Sequence, residues 1–277
     1  MWKSSAKKSI WLFALLAGSV TSAQDTINSG DVSALTDSQL AAKSLLLDMA
    51  AYLADTPRFQ VDMRVGYDSV AENGQKIEYE DQRQLSVERP TFVLDEVKKR
   101  VGFGELVLFD GKWITISDPK TKVYARASQP GDIDATARYF VDELGMRLPL
   151  SLMLMNQFPQ ELQQRVVEVD YVGEAEILGQ ATTHLAGRTH SIDFQIWIDS
   201  GRQPLPLRVV LAYREEPGEP RYWADFSNWN LNPSFLRDAF KFVPPAKFEL
   251  QTLEPKVQPI TEEDSEISSR VTSPSGF

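Results

Sequence analysis

Residues 59–67 alternate without a break. Phe59, Val61, Met63, Val65 and Tyr67 fall on one parity, and Gln60, Asp62, Arg64 and Gly66 on the other. Successive strand side chains point to opposite faces, so this pattern specifies a β-strand with one greasy face and one wet face. Such a strand needs antiparallel neighbours and something to cover its apolar side. The neighbours follow in sequence. Glu72-Asn73-Gly74 is a turn, Asn-Gly being a strong hairpin signal, and Ile77, Tyr79, Leu85 and Val87 share one parity of a long second strand. Further strands are expected near 91–98, 104–109 and 112–117, with Asp110-Gly111 turning between the last two, and Val123-Tyr124-Ala125 belongs to another. A second run is expected at 166–172, 175–178, 182–188, 191–199, 206–214 and 221–229. Within it, Ile192, Phe194, Ile196 and Ile198 share one face, as do Leu207, Val209, Leu211 and Tyr213.

Helical spacing occurs in two places. Leu40, Leu46, Leu47, Ala50 and Leu53 form a stripe over 37–54, opened by Thr36 and Gln39 at capping-box spacing. Between the strand runs, Ile133, Ala137, Phe140, Val141 and Leu144 recur at helical spacing, with Gly145 placed to close the helix. Pro149 then opens the apolar segment Leu150-Ser151-Leu152-Met153-Leu154-Met155, and a third short helix starts near Pro159. Helix, strands, helical insertion, strands: the order predicts an α+β fold, with helices lying against one strongly curved antiparallel sheet. Methionine-rich apolar segments serve adaptable binding surfaces as well as cores, and the residues alone fit a plugged core and a lined cavity alike.

The N-terminus reads as a cleavable signal peptide over 1–23. Lys3, Lys7 and Lys8 precede the apolar run Ile10–Ala17, which is too short to span a bilayer, and Thr21-Ser22-Ala23 offers small residues at the cleavage positions. Residues 24–35 then read as a flexible leader, 36–253 as a single domain, and 254–277 as a disordered acidic tail with too little apolar content to fold. No later apolar run reaches bilayer length, so the mature chain is expected to carry no transmembrane segment. The whole chain has a formal charge of −10, and a chain starting at Gln24 loses three lysines and so carries −13. That excludes the basic stripe nucleic acid requires.

There are 0 cysteines, which removes disulfides, thiolate metal sites, cysteine nucleophiles and lipid attachment at cysteine. His184 and His190 lack a metal-ligand spacing, and Asp193 near them reads as a buried hydrogen-bond partner of His184 rather than half of a catalytic dyad. Trp197, Trp223 and Trp229 read as sheet packing. No nucleophile elbow, P-loop or dinucleotide glycine pattern occurs. No catalysis, cofactor or metal is therefore expected.

Four short stretches in fixed order carry a resemblance: Glu88-Arg89-Pro90-Thr91-Phe92, Phe109-Asp110-Gly111-Lys112-Trp113, Leu154-Met155-Asn156-Gln157 and Phe240-Lys241-Phe242-Val243-Pro244-Pro245. They resemble the LolA/LolB group of periplasmic lipoprotein carriers. Asp193-Phe194-Gln195-Ile196-Trp197-Ile198, Gly201, Pro204-Leu205-Pro206, His184 and Asn228-Trp229-Asn230 bring the chain nearer to a related family of predicted periplasmic proteins, the domain of unknown function 2092. The resemblance implies an incomplete β-barrel, covered by the N-terminal helix and a central helical lid, with residues 240–245 as its closing strand. It further implies a periplasmic, non-enzymatic carrier in the Gram-negative envelope that holds a lipid, acyl chain or other amphiphile, and an arginine latch on the lid at Arg89. The lining expected on that reading is Phe59, Val61, Met63, Val65, Leu150, Met153 and Met155. The alternative is an envelope interaction protein with a filled core, working through an envelope protein partner.

Overall fold

The computed structural model describes residues 35–98, 104–142 and 149–252. The residues read as a signal peptide, nearly all of those read as a leader, those read as an acidic tail, and Leu144 with Gly145 lie outside the described residues. Helix α1 spans Asp37–Asp55 and opens with the expected capping box. The Thr36 hydroxyl accepts from the Gln39 N–H, and the Gln39 side chain accepts from the Thr36 N–H. Its buried face is Ala42, Leu46, Met49, Ala50 and Leu53. Leu40 does not join that face and is 52% exposed, because two residues of helix turn it roughly 200° from Ala42.

The strands are β1 Arg58–Val70, β2 Lys76–Glu88, β3 Phe92–Val97, β4 Leu106–Asp110, β5 Trp113–Asp118, β6 Val123–Ser128, β7 Glu168–Ile177, β8 Gln180–Arg188, β9 Ile192–Asp199, β10 Pro206–Tyr213, β11 Arg221–Asn230 and β12 Glu249–Thr252. They form one open sheet in the order β12-β6-β5-β4-β3-β2-β1-β11-β10-β9-β8-β7. Every described pairing is antiparallel except β12 with β6. Three α-helices and a short 3-10 helix complete the α+β fold: α2 Ile133–Asp142, the 3-10 helix Ser151–Leu154, and α3 Phe158–Arg165. Residues 129–167, which carry these three elements, link β6, next to one end of the strand order, to β7 at the other.

Register assigns the two faces. Phe59 pairs with Val87, Val61 with Leu85, Met63 with Phe226 and Val65 with Ala224, and all eight are buried in one core with the inner side of α1. That core also takes Ile196, Ile198 and Val209 from the second strand run, as the alternation requires. The opposite face carries a row of alternating rings and cations. His184 stacks on Trp197, Arg208 lies over both Trp197 and Trp223, and Arg64 lies over Trp223 while pairing with Glu80. Trp223 covers Gly66 so closely that an added Cβ would meet the indole at 2.3 Å. Gly66→Ala is expected to cost about 1–3 kcal/mol as an overpacking change, seen as a lower urea midpoint at constant slope. An unchanged midpoint would mean the indole can lift off the strand freely.

Two expectations are corrected. The segments 166–172 and 175–178 are one strand, β7, with an irregularity in its pairing between Tyr171 and Gly173. The hairpin from β7 to β8 turns at Leu178 and Gly179, both at positive φ (51° and 80°), a left-handed pair that a leucine does not advertise. Residues 240–245 form no strand. Pro244 and Pro245 have no N–H to give a ladder, and the last strand is β12, which pairs parallel with β6. The stretch before it instead lays Phe240 on Phe92 and Phe235, and Phe242 on Tyr124.

Candidate functional site

The end of β2 brings one arginine to the meeting point of two helix ends. Backbone bonds hold Arg89 in place, its N–H donating to Pro57 O at 2.8 Å. Its guanidinium donates from Nε to Thr56 O at 3.1 Å and from Nη2 to Leu53 O at 3.2 Å, both at the C-terminal end of α1. Nη2 also donates to Met153 O at 3.4 Å and Nη1 to Leu154 O, the last residues of the 3-10 helix, and Nη1 reaches Asn156 Oδ1 at 3.2 Å. The final carbonyls of a helix have no partners within it and carry the negative end of its dipole. Helix α1 has no basic residue in its last turn, so the sheet supplies the cation. A guanidinium suits the task because its donors form a planar fork.

Every one of these acceptors is neutral. Burial therefore dominates and lowers the Arg89 pKa to about 10, opposed by the charge of Asp134, and the group stays charged near neutrality. The Phe59 ring lies 6.0 Å from its central carbon, within cation–π range.

Asp134 completes the arrangement from the other side. It stands in the first turn of α2, is buried, and accepts from the N–H groups of Asn156 at 2.7 Å and Gln157 at 3.1 Å. Those amides lead into α3, whose N-cap residue Gln157 makes no side-chain cap of its own. The segment Met153–Gln157 is thus held by its carbonyls through Arg89 and by its amides through Asp134. Helix α2 is itself tied to the same corner, Ile133 N–H donating to Pro90 O at 2.9 Å.

Of the expected lining, Phe59, Val61, Met63, Val65 and Met155 are buried, and Leu150 and Met153 pack partly buried against the core that holds the four β1 residues. Trp229 joins them, tilted against Phe59 and stacked on Phe226. Sequence reading missed Asp134. Its signal was a surplus: Asp132 already caps α2 through the Ala135 N–H at 2.8 Å, leaving the second acid two residues on for something else. The expected pairing of His184 with Asp193 does not form. His184 meets Gln195 at 3.1 Å and stacks on Trp197, with burial lowering its pKa. Asp193 instead bridges Arg188 and Arg214, because register sets it opposite Arg188.

No curated protein sequence matches this chain. Among solved structures, the lipoprotein LppX of Mycobacterium tuberculosis is similar at 13% identity and a TM-score of 0.46, over 72% of this chain and 99% of that one. LprF of Mycobacterium bovis gives 12% identity and 0.44, over 73% and 98%. A LolA superfamily protein from Nitrosomonas europaea gives 13% and 0.35, over 73% and 97%. No α-helix among the described residues is long and apolar enough to cross a membrane. A family model described as predicted periplasmic protein (DUF2092) matches residues 42–250, and the chain belongs to that family.

Proposed function

We propose that this chain is a periplasmic, non-enzymatic binding protein that holds an acyl chain or similar amphiphile between the concave sheet face and the helices. The observation that carries the reading is the Arg89 clasp. A half-buried cation joins the ends of two helical segments beside an apolar core, using only hydrogen bonds to neutral groups, which can be exchanged for water when the helices part. Phe59, Val61, Met63 and Val65 would form the floor, Leu150, Met153 and Met155 the roof. Each methylene of cargo removed from water contributes roughly 0.8 kcal/mol, so four further carbons add roughly 3 kcal/mol. The residues ahead of Gln24, read as a cleavable signal, would deliver the chain to the periplasm.

The test is lipid mass spectrometry on residues 24–277, purified natively from periplasm and extracted with organic solvent. A stoichiometric lipid is expected. The tight burial of Val61, Leu185 and Ile198, each 0% exposed, favours one competing reading, an interaction protein with a filled core. A clean extract together with no uptake of a fluorescent fatty acid would establish that reading instead.

A further inference from the structure

The concave face changes character along its length. From Phe59 at the Arg89 end, the inward parity of β1 runs to Tyr67, and register carries the change to both neighbours. Met63 pairs with Arg83, Val65 with Asp81, and Tyr67 with Tyr79 on one side and Tyr222 on the other. Tyr67 and Tyr79 stack with centroids 5.6 Å apart. Arg83 donates Nε to both oxygens of Asp95 at 2.9 and 3.1 Å. The pole farthest from the clasp is therefore built of phenol rings, an arginine–aspartate pair and one further carboxylate, in the layer that elsewhere buries valine and phenylalanine.

Two observations set this pole apart from packed core. Tyr222 is partly buried, and loss of water around its hydroxyl, with Asp95 and Asp81 adding to it, pushes that group well above the ordinary phenol range. No hydrogen bond joins that hydroxyl to another described residue. The residue as a whole keeps some accessible surface, so a guest can reach it. Arg83, in turn, uses only Nε on Asp95, and its two terminal nitrogens bond no other described residue. The Tyr222 hydroxyl and the terminal nitrogens of Arg83 thus stand ready for a guest at the end of an apolar trough. Eight residues of strand, about 27 Å, separate Phe59 from Tyr67.

The balance of charge selects the guest. Among the described residues, Asp81 and Asp95 outnumber Arg83, and Glu105 adds its field at Tyr67. An anionic head would meet net repulsion. Hydroxyl or ammonium donors would find carboxylate and phenol oxygens to accept them, and ring faces attract cations.

We propose that this pole, lined by Tyr67, Tyr79, Asp81, Arg83, Asp95 and Tyr222, is the head-group subsite, and that it takes a non-anionic head bearing O–H or N–H donors while the apolar half takes the chain. The inference rests on the carrier reading above. It is tested by calorimetry on residues 24–277 with three amphiphiles of one chain length, each below its micellar concentration: 1-decanoylglycerol, decylamine and decyl phosphate. The glycerol and amine compounds are expected to bind at least ~5-fold more tightly than the phosphate, the equivalent of about one ordinary hydrogen bond. Asp81→Asn, nearly the same shape, is expected to narrow the amine-to-phosphate ratio several-fold, and Tyr222→Phe to weaken the glycerol compound ~3- to 10-fold. A preference for glycerol over amine assigns the subsite to hydroxyls, and the reverse assigns it to charge. Equal binding of all three, or a preference for phosphate, overturns the head-group subsite and leaves the carrier reading standing. Binding of none overturns both.

Discussion

Arg89→Leu is expected to shorten ligand retention more than any other single change, by ~10- to 100-fold in release rate, while residues 24–277 still fold. The guanidinium makes five hydrogen bonds, four of them to main-chain carbonyls at the ends of α1 and the 3-10 helix. Leucine matches its bulk but offers those carbonyls nothing. A buried carbonyl without a partner costs roughly 1–3 kcal/mol, and parting the helices lets water satisfy it. The open arrangement is therefore favoured by at least one such penalty and release quickens accordingly. Arg89→Lys separates charge from shape. Lysine keeps the cation, but its single ammonium lacks the planar fork that reaches both segments at once, so retention should fall between wild type and leucine. The measurement is release of a fluorescent fatty acid by stopped flow. Equal release rates for all three proteins would remove the latch role from Arg89.

The second large effect concerns Asp134. Asp134→Ala is expected to cost about 2–3 kcal/mol, since two hydrogen bonds to a buried carboxylate are lost and α3 is left without an acceptor at its start. Hydrogen exchange should localise the loss to the amides of Asn156 and Gln157. Because Arg89 and Asp134 grip the same five residues, their effects should not add. A double-mutant cycle is expected to show a coupling of at least ~1 kcal/mol. Strict additivity would mean that the two grips act on independent segments.

Much of this fold was readable in advance. The alternation of Phe59–Tyr67 assigned the inward face correctly, and the parities of β9 and β10 agreed with it, because strand period is local and the core rewards one phase only. The capping box at Thr36 and Gln39 was equally local. What escaped reading was set at a distance or by rare backbone. Leu178 at positive φ hid a two-residue turn, the proline pair at 244–245 displaced the last strand to Glu249, and Leu40 looked like core only in a stripe whose phase the sheet later decided. The site divides the same way. Arg89 was suggested by its Arg-Pro step and the resemblance around it. Asp134 could not be, since its partners lie 22 and 23 residues ahead and a lone acid in a first helical turn ordinarily answers its own helix.

The crossover of residues 129–167 leaves β6, next to one margin of the sheet, and enters β7 at the other. On the carrier reading its described parts would act as a bowstring tied between the limbs of a bow. A guest that forces the limbs apart tightens the string, and the strain falls on Met153–Gln157, where the arginine and the aspartate take hold. Filling from within and unlatching from without are then a single mechanical event. A bulkier guest would loosen its own restraint, and the bend of the sheet would set how large a guest can be carried before it is let go.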